Sequence, residues 1–458
     1  MKFNSFWLAI AGLLFLATST PATVRYVSVN NANPMSPYTN WATAATDIQS
    51  ASDVAAAGDL VLVSNGVYET GSREAPSSYL ARVLVRESIT VKSLNGPAVT
   101  IIKGYQVPGT TNGAASVRCV YLPSSSTLSG FTLTNGATSG NGGGIFAKGF
   151  SATVSNCVIV GNAAGLSGGG GCYGSFVDCV IRNNVSFGNG GGLYSGAATN
   201  CLIVGNSAQT GGGTYDLGPV NCTISENTAS AAGGGVYGGS VMKNSIVYYN
   251  SAPTGRNYYS TTMSYCCTVP IDALSHSLTN EPLLVNSSAG DYRLQSNSPC
   301  INAGTSFYAT LATDLDGNPR IIGGTVDIGA FECQSPAQLA CFTWLQGYGL
   351  PTTAAEVYTD SDGDGMNNWQ EWQSGTNPTN ALSLLKMMMA LNMTSGTMVT
   401  WQSVSGKTYF LERSGDLKAQ PVFSILSSNI VGQAGTTSYF DVTAVGPGPV
   451  LYRVGIQP

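Results

Sequence analysis

Between residues 156 and 250 the chain repeats one short alternation of apolar and polar positions. The copies read NCVIVGN (156–162), DCVIRNN (178–184), NCLIVGN (200–206), NCTISEN (221–227) and NSIVYYN (244–250). Their second residue recurs at Cys157, Cys179, Cys201, Cys222 and Ser245, with spacings of 22, 22, 21 and 23. A weaker copy, GFTLTNG, occupies 130–136. Period-two alternation puts Cys157 and Ile159 on one face of a strand and Val158 and Val160 on the other. A second motif keeps step with the first: a Gly triplet runs into Ile145, Cys172, Leu193, Thr214 and Val236, and the last four of these are followed by Tyr173, Tyr194, Tyr215 and Tyr237. Such triplets cost a helix about 1 kcal/mol per Gly. About 22 residues at ~3.3 Å each instead close a coil of short strands and turns. The pattern predicts a β-solenoid, right-handed by the rule for parallel connections.

Stacking such coils predicts inward columns at Cys157, Cys179, Cys201 and Cys222, and at Ile159, Ile181, Ile203, Ile224 and Val247. The cysteines are then small core residues. Asn162, Asn184, Asn206, Asn227 and Asn250 end their strands; their amides are expected to bond along the stack and their backbones to turn left-handed. The Gly triplets are expected to supply further turns with positive φ. Residues 47–57 predict a helix with Ile48, Ala51 and Ala55 on one face, ended by Gly58 and covering the first coil. Leu60–Val63 then begins a buried strand.

The rest of the chain divides around this body. Residues 1–22, with Lys2 and the apolar stretch Phe6 to Ala17, read as a secretory signal peptide. That predicts an extracellular or cell-surface location, with no transmembrane segment in the mature chain. Residues 23–334 form the β-helix with its N-terminal cap and closing unit, 335–382 a helix and a calcium loop, and 383–458 a small β domain. In the third segment, 336–349 place Leu339, Phe342 and Leu345 on one helical face. In the last, MVTWQSV, TYFLE, TSYFDV and VLYRV read as strands of a β-sandwich-like module. The fold class is thus mainly β. Charged residues make up 9% of the chain, net charge is −5 and no Lys/Arg run occurs, which argues against a nucleic-acid partner. Eleven cysteines leave at least one without an intrachain partner. Export permits disulfides; vicinal Cys266 and Cys267 could be redox-active or pair with Cys300 or Cys333.

One segment carries specific chemistry. Residues 360–371, DSDGDGMNNWQE, fit the spacing of an EF-hand loop, D-x-D-x-D-G-x5-E. Calcium takes six to eight hard oxygens. Asp360, Asp362 and Asp364 would give carboxylates, Met366 its backbone carbonyl, Asn368 the position often bridged by water, and Glu371 a bidentate carboxylate. Gly365 makes the sharp turn.

Several segments resemble known families. YVSVNNAN…WATAATDIQSASDVAAAGDLVLVSNGVYE resembles the opening of secreted right-handed β-helix proteins of the pectin-lyase-like superfamily. SPCINAG…DLDGNPRIIGGTVDIGAFE resembles the choice-of-anchor Q domain that closes many bacterial β-helices. The GGG-aliphatic repeats are similar to passengers of polymorphic outer-membrane adhesins. The calcium loop followed by GTNP resembles dockerin-like and thrombospondin type 3 repeats; dockerins carry two loops, so a single loop favours a spacer over cohesin binding.

The first superfamily implies polysaccharide chemistry, by a lyase before a hydrolase, with a site on loops 66–125 or near 253–280. Elimination needs a base and a cation that acidifies the proton next to a carboxylate. Hydrolysis needs paired carboxylates. Outward charges on the clear repeats are few: Arg182, Glu226 and Lys243. Asp178 stands in a column of asparagines (156, 200, 221, 244) and reads as their substitute; Arg182 reads as a solvated surface residue. Lone His276 lies outside the repeats, and Asp314, Asp316, Arg320, Asp327 and Glu332 read as turn and ion-pair residues of the closing unit. The repeat therefore favours a non-catalytic protein whose long face, with Tyr248, Tyr249, Tyr258 and Tyr259, meets an extracellular glycan or cell-surface component. A polysaccharide-degrading enzyme is the alternative.

Overall fold

The 22-residue period appears as four short strands per coil in the computed structural model. It describes residues 22–458 except 77–78, 272–274, 296–297, 302, 323–324, 335–340, 342–343, 351–356, 358, 417, 419–421, 445–449 and 457–458. The expected signal peptide, and Leu339 and Phe342 of the expected helix, lie outside the described residues. The chain divides into two compact units, Met1–Cys333 and Gln334–Pro458.

In the first unit, one coil runs through Thr153–Ser155, Val158–Val160, Ala163–Ala164 and Gly171–Cys172. Each strand pairs in parallel with its counterpart in the next coil: Ser175–Val177, Val180–Arg182, Val185–Ser186 and Leu193–Tyr194. This is a parallel β-helix, as the repeat predicts. The alternation sorts as expected, with Cys157, Cys179, Cys201, Cys222 and the Ile159 column all buried in one continuous core. The N-terminal helix Ile48–Val54 buries Ile48 and Ala51 in that core, with Asp47 accepting from Ser50 N at 2.7 Å as its N-cap. It stops at Val54, short of Gly58, because Ala55 is already extended. Leu60–Val63 buries only Val61 and Val63 fully, since its other face looks outward.

Asn162, Asn184, Asn206, Asn227 and Asn250 are buried and bonded as a ladder. Each of the first four donates both its backbone N–H and its Nδ2 to the next Oδ1, at 2.9–3.0 Å. Their backbones are not left-handed, contrary to expectation. Positive φ falls one residue earlier, at Gly161, Asn183, Gly205, Glu226 and Tyr249, and at the column Asn156, Asp178, Asn200, Asn221 and Asn244. The ladder needs the amide aimed along the stack, so the preceding residue makes the turn.

The Gly triplets also differ from the expectation. In the 190–192 and 211–213 triplets only Gly190 and Gly211 have positive φ. The others are small because the next coil's backbone lies against them: a Cβ on Gly191 would stand 2.4 Å from Gly212 O. Register also corrects the alignment at Cys172, which pairs with Phe146 and Tyr194 while Gly171 pairs with Ile145. The Tyr173 ring fills the gap, edge-on to Phe146 and Tyr194. Tyr121, Phe146, Tyr173, Tyr194, Tyr215, Tyr237 and Tyr259 thus form one aromatic file, with centroids 4.9–5.9 Å apart.

The closing unit lies along the side of the coils. Leu284, Tyr292, Leu294, Cys300, Ile328 and Phe331 pack on the outward Leu202, Val204, Ile246 and Cys267. This explains the apolar outer face of those strands, which no solvated sheet would keep.

In the second unit, two three-stranded antiparallel sheets enclose Val399, Trp401, Tyr409 and Leu411. The four predicted strand runs are present, joined by Met387–Met393 and Ser424–Val431, which the pattern missed. Among the described residues no helix is long and apolar enough to cross a membrane.

Candidate functional site

The left-handed column Asn156, Asp178, Asn200, Asn221 and Asn244 marks one edge of the β-helix, and the closing unit uses part of it. Asn244 Nδ2 donates to Thr305 O (2.9 Å), Asn221 Nδ2 to Tyr308 O (3.0 Å) and Asn200 Nδ2 to Thr313 O (3.3 Å). Asn156 and Asp178 instead line a groove of about 430 Å³, with Asp291, Tyr292, Arg293 and Asp316 opposite.

The carboxylates of this groove stand in different surroundings. Asp178 is half-buried and burial pushes its carboxyl up, although it accepts from Asn200 Nδ2 at 2.6 Å. Asp316 is held by Arg293, Nε to Oδ2 at 2.6 Å and Nη2 to Oδ1 at 3.3 Å. That pairing in turn holds Arg293 above its ordinary value, so the guanidinium stays charged. Asp178 therefore matches both an asparagine substitute and a groove residue. Asp316 reached the groove through chain topology that its turn motif does not reveal.

Behind the groove the closing unit buries Asp314, Arg320, Asp327 and Glu332. Their oxygens chiefly receive backbone N–H groups. Asp314 accepts from Asn318 N (2.8 Å) and Glu332 N (2.9 Å), and Asp327 from Cys333 N (2.6 Å). Glu332 accepts from Asp327 N at 3.1 Å, and burial, with the Asp327 charge nearby, pushes its carboxyl up to about 8. A folded value above the unfolded one stabilises only while the proton is bound. The contribution is full below the ordinary value of 4.5 and is lost as pH rises toward about 8. We predict that the first unit loses on the order of a few kcal/mol over that window, and that Glu332→Gln flattens the loss. Equal slopes for the two proteins in urea titrations across pH would reject this.

The remaining candidates are placed as follows. His276 is exposed and stacks on Tyr265 at 5.1 Å. Arg182 is exposed, Glu226 accepts from Tyr292 OH at 2.9 Å, and Lys243 Nζ lies 4.9 Å from the Tyr308 ring centroid. Tyr248 packs beneath the closing unit and Tyr258 against the core, leaving Tyr249 and Tyr259 as the exposed members of that group. In the aromatic file the rings largely cover one another's faces, so it offers a sugar mainly edges.

In the second unit, carboxylate oxygens of Asp360, Asp362 and Asp364 lie within 4.8 Å of one another. Asp360 accepts from Gly363 N (2.8 Å) and Gly365 N (2.9 Å), and Asp364 from Met366 N (2.7 Å), which curls the loop around its carboxylates. Gly363 and Gly365 have φ of 79° and 95°. Helix Asn368–Ser374 follows, with a capping box between Asn367 and Gln370, and Trp369 and Trp372 seat it against Cys341, Leu345 and Val357. Asn368 and Glu371 are fully buried. Asp362 Oδ2, Asp364 Oδ2 and Glu371 Oε2 are buried without a hydrogen-bond partner. Burial, with Asp362 and Asp364 beside it, pushes Glu371 up to about 7. Unpaired buried carboxylate oxygens aimed together are costly, and a hard divalent cation is the group that fits them.

No family model matches the sequence, and no curated protein matches it. Among solved structures the chain is similar to one titled "Crystal structure of pectate lyase Pel9A", at 15% identity over 68% of this chain and 97% of that chain, with a TM-score of 0.45.

Proposed function

We propose that this protein is an extracellular, calcium-binding β-helix enzyme that cleaves a polysaccharide in the groove beside Asp178 and Asp316. The observation that carries this reading is the placing of two carboxyls in contrasting environments around one groove. Asp178, whose carboxyl burial pushes up, would be the group that protonates the departing glycosidic oxygen. Asp316, held by the Arg293 guanidinium, would activate water or attack the sugar carbon. Elimination needs an uncommitted basic group, and Arg293 is committed to Asp316, so the groove favours hydrolysis. The loop at Asp360, Asp362, Asp364, Met366, Asn368 and Glu371 would hold calcium, which supplies structural cross-linking there.

The test is release of reducing ends, and of unsaturated ends for elimination, from a panel of neutral and acidic polysaccharides. Asp178→Asn is the decisive variant, because asparagine already occupies the same left-handed position in the neighbouring coils. We predict an unchanged melting curve with turnover reduced at least ~100-fold. Binding without cleavage by the wild type would establish the non-catalytic, glycan-presenting reading instead. Full activity in Asp178→Asn would remove Asp178 from the mechanism.

A further inference from the structure

One stretch of the aromatic file carries polar groups that the fold does not use. Tyr194, Tyr215, Tyr237 and Tyr259 hold the same register position on successive parallel strands. Their rings are near-parallel, with centroids 5.4, 4.9 and 5.2 Å apart and interplanar angles of 14°, 3° and 27°. Tyr173 stands across one end of this row, at 76° to Tyr194. Tyr259, at the other end, is 40% exposed. Parallel rings on parallel strands hold the four hydroxyls in a line at about the coil spacing. Among the described residues, none of these hydroxyls has a hydrogen-bond partner. Those of Tyr68, Tyr248, Tyr249, Tyr292, Tyr409 and Tyr452 all meet protein groups.

The foot of the row is a strip of glycine. A Cβ on Gly211 would stand 3.0 Å from the Tyr215 Cβ, and a Cβ on Gly233 or Gly255 2.8 Å from that of Tyr237 or Tyr259. These positions therefore put no side chain beside the rings. Asp216, exposed and next to Tyr215, accepts from Ser195 Oγ at 3.4 Å, so a carboxylate stands alongside the phenols. It disfavours an acidic chain and leaves a neutral one free to approach.

We propose that this row binds a neutral, extended polysaccharide lying along the helix axis, with one sugar unit to each phenol. A hexose in an extended β-1,4-linked chain advances by about 5 Å, close to one coil. Successive sugars therefore meet successive hydroxyls without drifting out of step. The ring faces are covered by their neighbours, so recognition runs through hydrogen bonds between phenol and sugar hydroxyls, and through ring edges. The row lies on the fourth strand of each coil, as in Leu193–Tyr194, whereas Asp178 stands between the first two, Ser175–Val177 and Val180–Arg182. The site is thus separate from the groove and does not rest on its chemistry.

The experiment titrates the full chain calorimetrically with cello-oligosaccharides from the disaccharide to the hexasaccharide, with hexagalacturonate as the acidic control. Affinity is expected to rise up to the tetrasaccharide, which matches the four phenols, and then to level off. The triple variant Tyr194→Phe, Tyr215→Phe, Tyr237→Phe keeps the ring stack and removes three hydroxyls. Each lost hydrogen bond should weaken binding about 3–10-fold, with the melting temperature unchanged. Asp178→Asn should bind the hexasaccharide as the wild type does, which separates the row from the groove. Binding kept in the triple variant but lost in Asp178→Asn would place the sugar in the groove and overturn the proposal. So would unchanged affinity and stoichiometry in the triple variant, tighter binding of hexagalacturonate, affinity independent of chain length, or no heat with the wild type.

Discussion

Replacing Gly212 by alanine is expected to prevent the β-helix from folding. A Cβ there would stand 2.4 Å from both Gly234 O and Thr228 O. Both are backbone atoms of the next coil, and neither can yield as a side-chain tip would. Gly212 N already donates to Gly233 O at 3.0 Å, so the coils are held together where the methyl would push them apart. Overpacking usually costs 1–3 kcal/mol; with two carbonyls struck at once, a cost above about 5 kcal/mol is expected. The comparison is Gly238→Ala. Gly238 has φ of 62° but nothing within 4 Å of its ideal Cβ, so it should lose about 1–2 kcal/mol for the left-handed backbone alone. Circular dichroism and thermal melts of both variants check this. A folded Gly212→Ala protein melting near the wild type would show that the coils can separate at the triplet.

That contrast shows what the repeat reveals and what it hides. Column identity was legible because alternation and period act on contiguous residues: the Cys157 and Ile159 columns and the Asn162 ladder stand where the pattern puts them. The reason for glycine was not legible, since positive φ and close approach leave the same letter. The left-handed residue was misplaced by one because Asn suits both a ladder and a turn, and here the two tasks fall to different residues. Met387–Met393 and Ser424–Val431 were missed because exposed edge strands do not need the inside–outside alternation that marks a strand.

The groove was the least legible feature. The coils and the closing unit that supply its lining are joined by contacts distant in sequence, such as Ala330 N to Thr223 Oγ1, separated by 107 residues. No local spacing links Asp178 to Asp316, and each has a sufficient local explanation, one as a turn residue in a column and the other within a tight turn. The closing unit changes their meaning by covering Asn200, Asn221 and Asn244 but stopping short of Asp178 and Asn156. The repeat alone describes a bare scaffold, whereas the covered scaffold has an edge at which side chains from both segments converge.

The proposed calcium loop is the opposite case, since twelve contiguous residues would carry the whole donor set. Removing calcium is expected to destabilise the second unit strongly. With free calcium at about a thousand times the dissociation constant, binding contributes about 4 kcal/mol, and its loss should lower that unit's melting temperature by about 10–15 °C. Glu371→Gln should reproduce most of the loss in the presence of calcium. Glu371 is fully buried and would supply two of the oxygens, while the amide removes the charge that Asp362 and Asp364 share the ion with. Without calcium the same substitution should stabilise the loop, because it relieves repulsion among the clustered carboxylates. This reversal of sign separates a metal site from a solvated acidic turn, for which Glu371→Gln would act in one direction with or without the ion. Calorimetric titration with calcium, together with thermal melts of both proteins in calcium and in chelator, supplies the test. No heat of binding and a melt indifferent to chelator would reject the site.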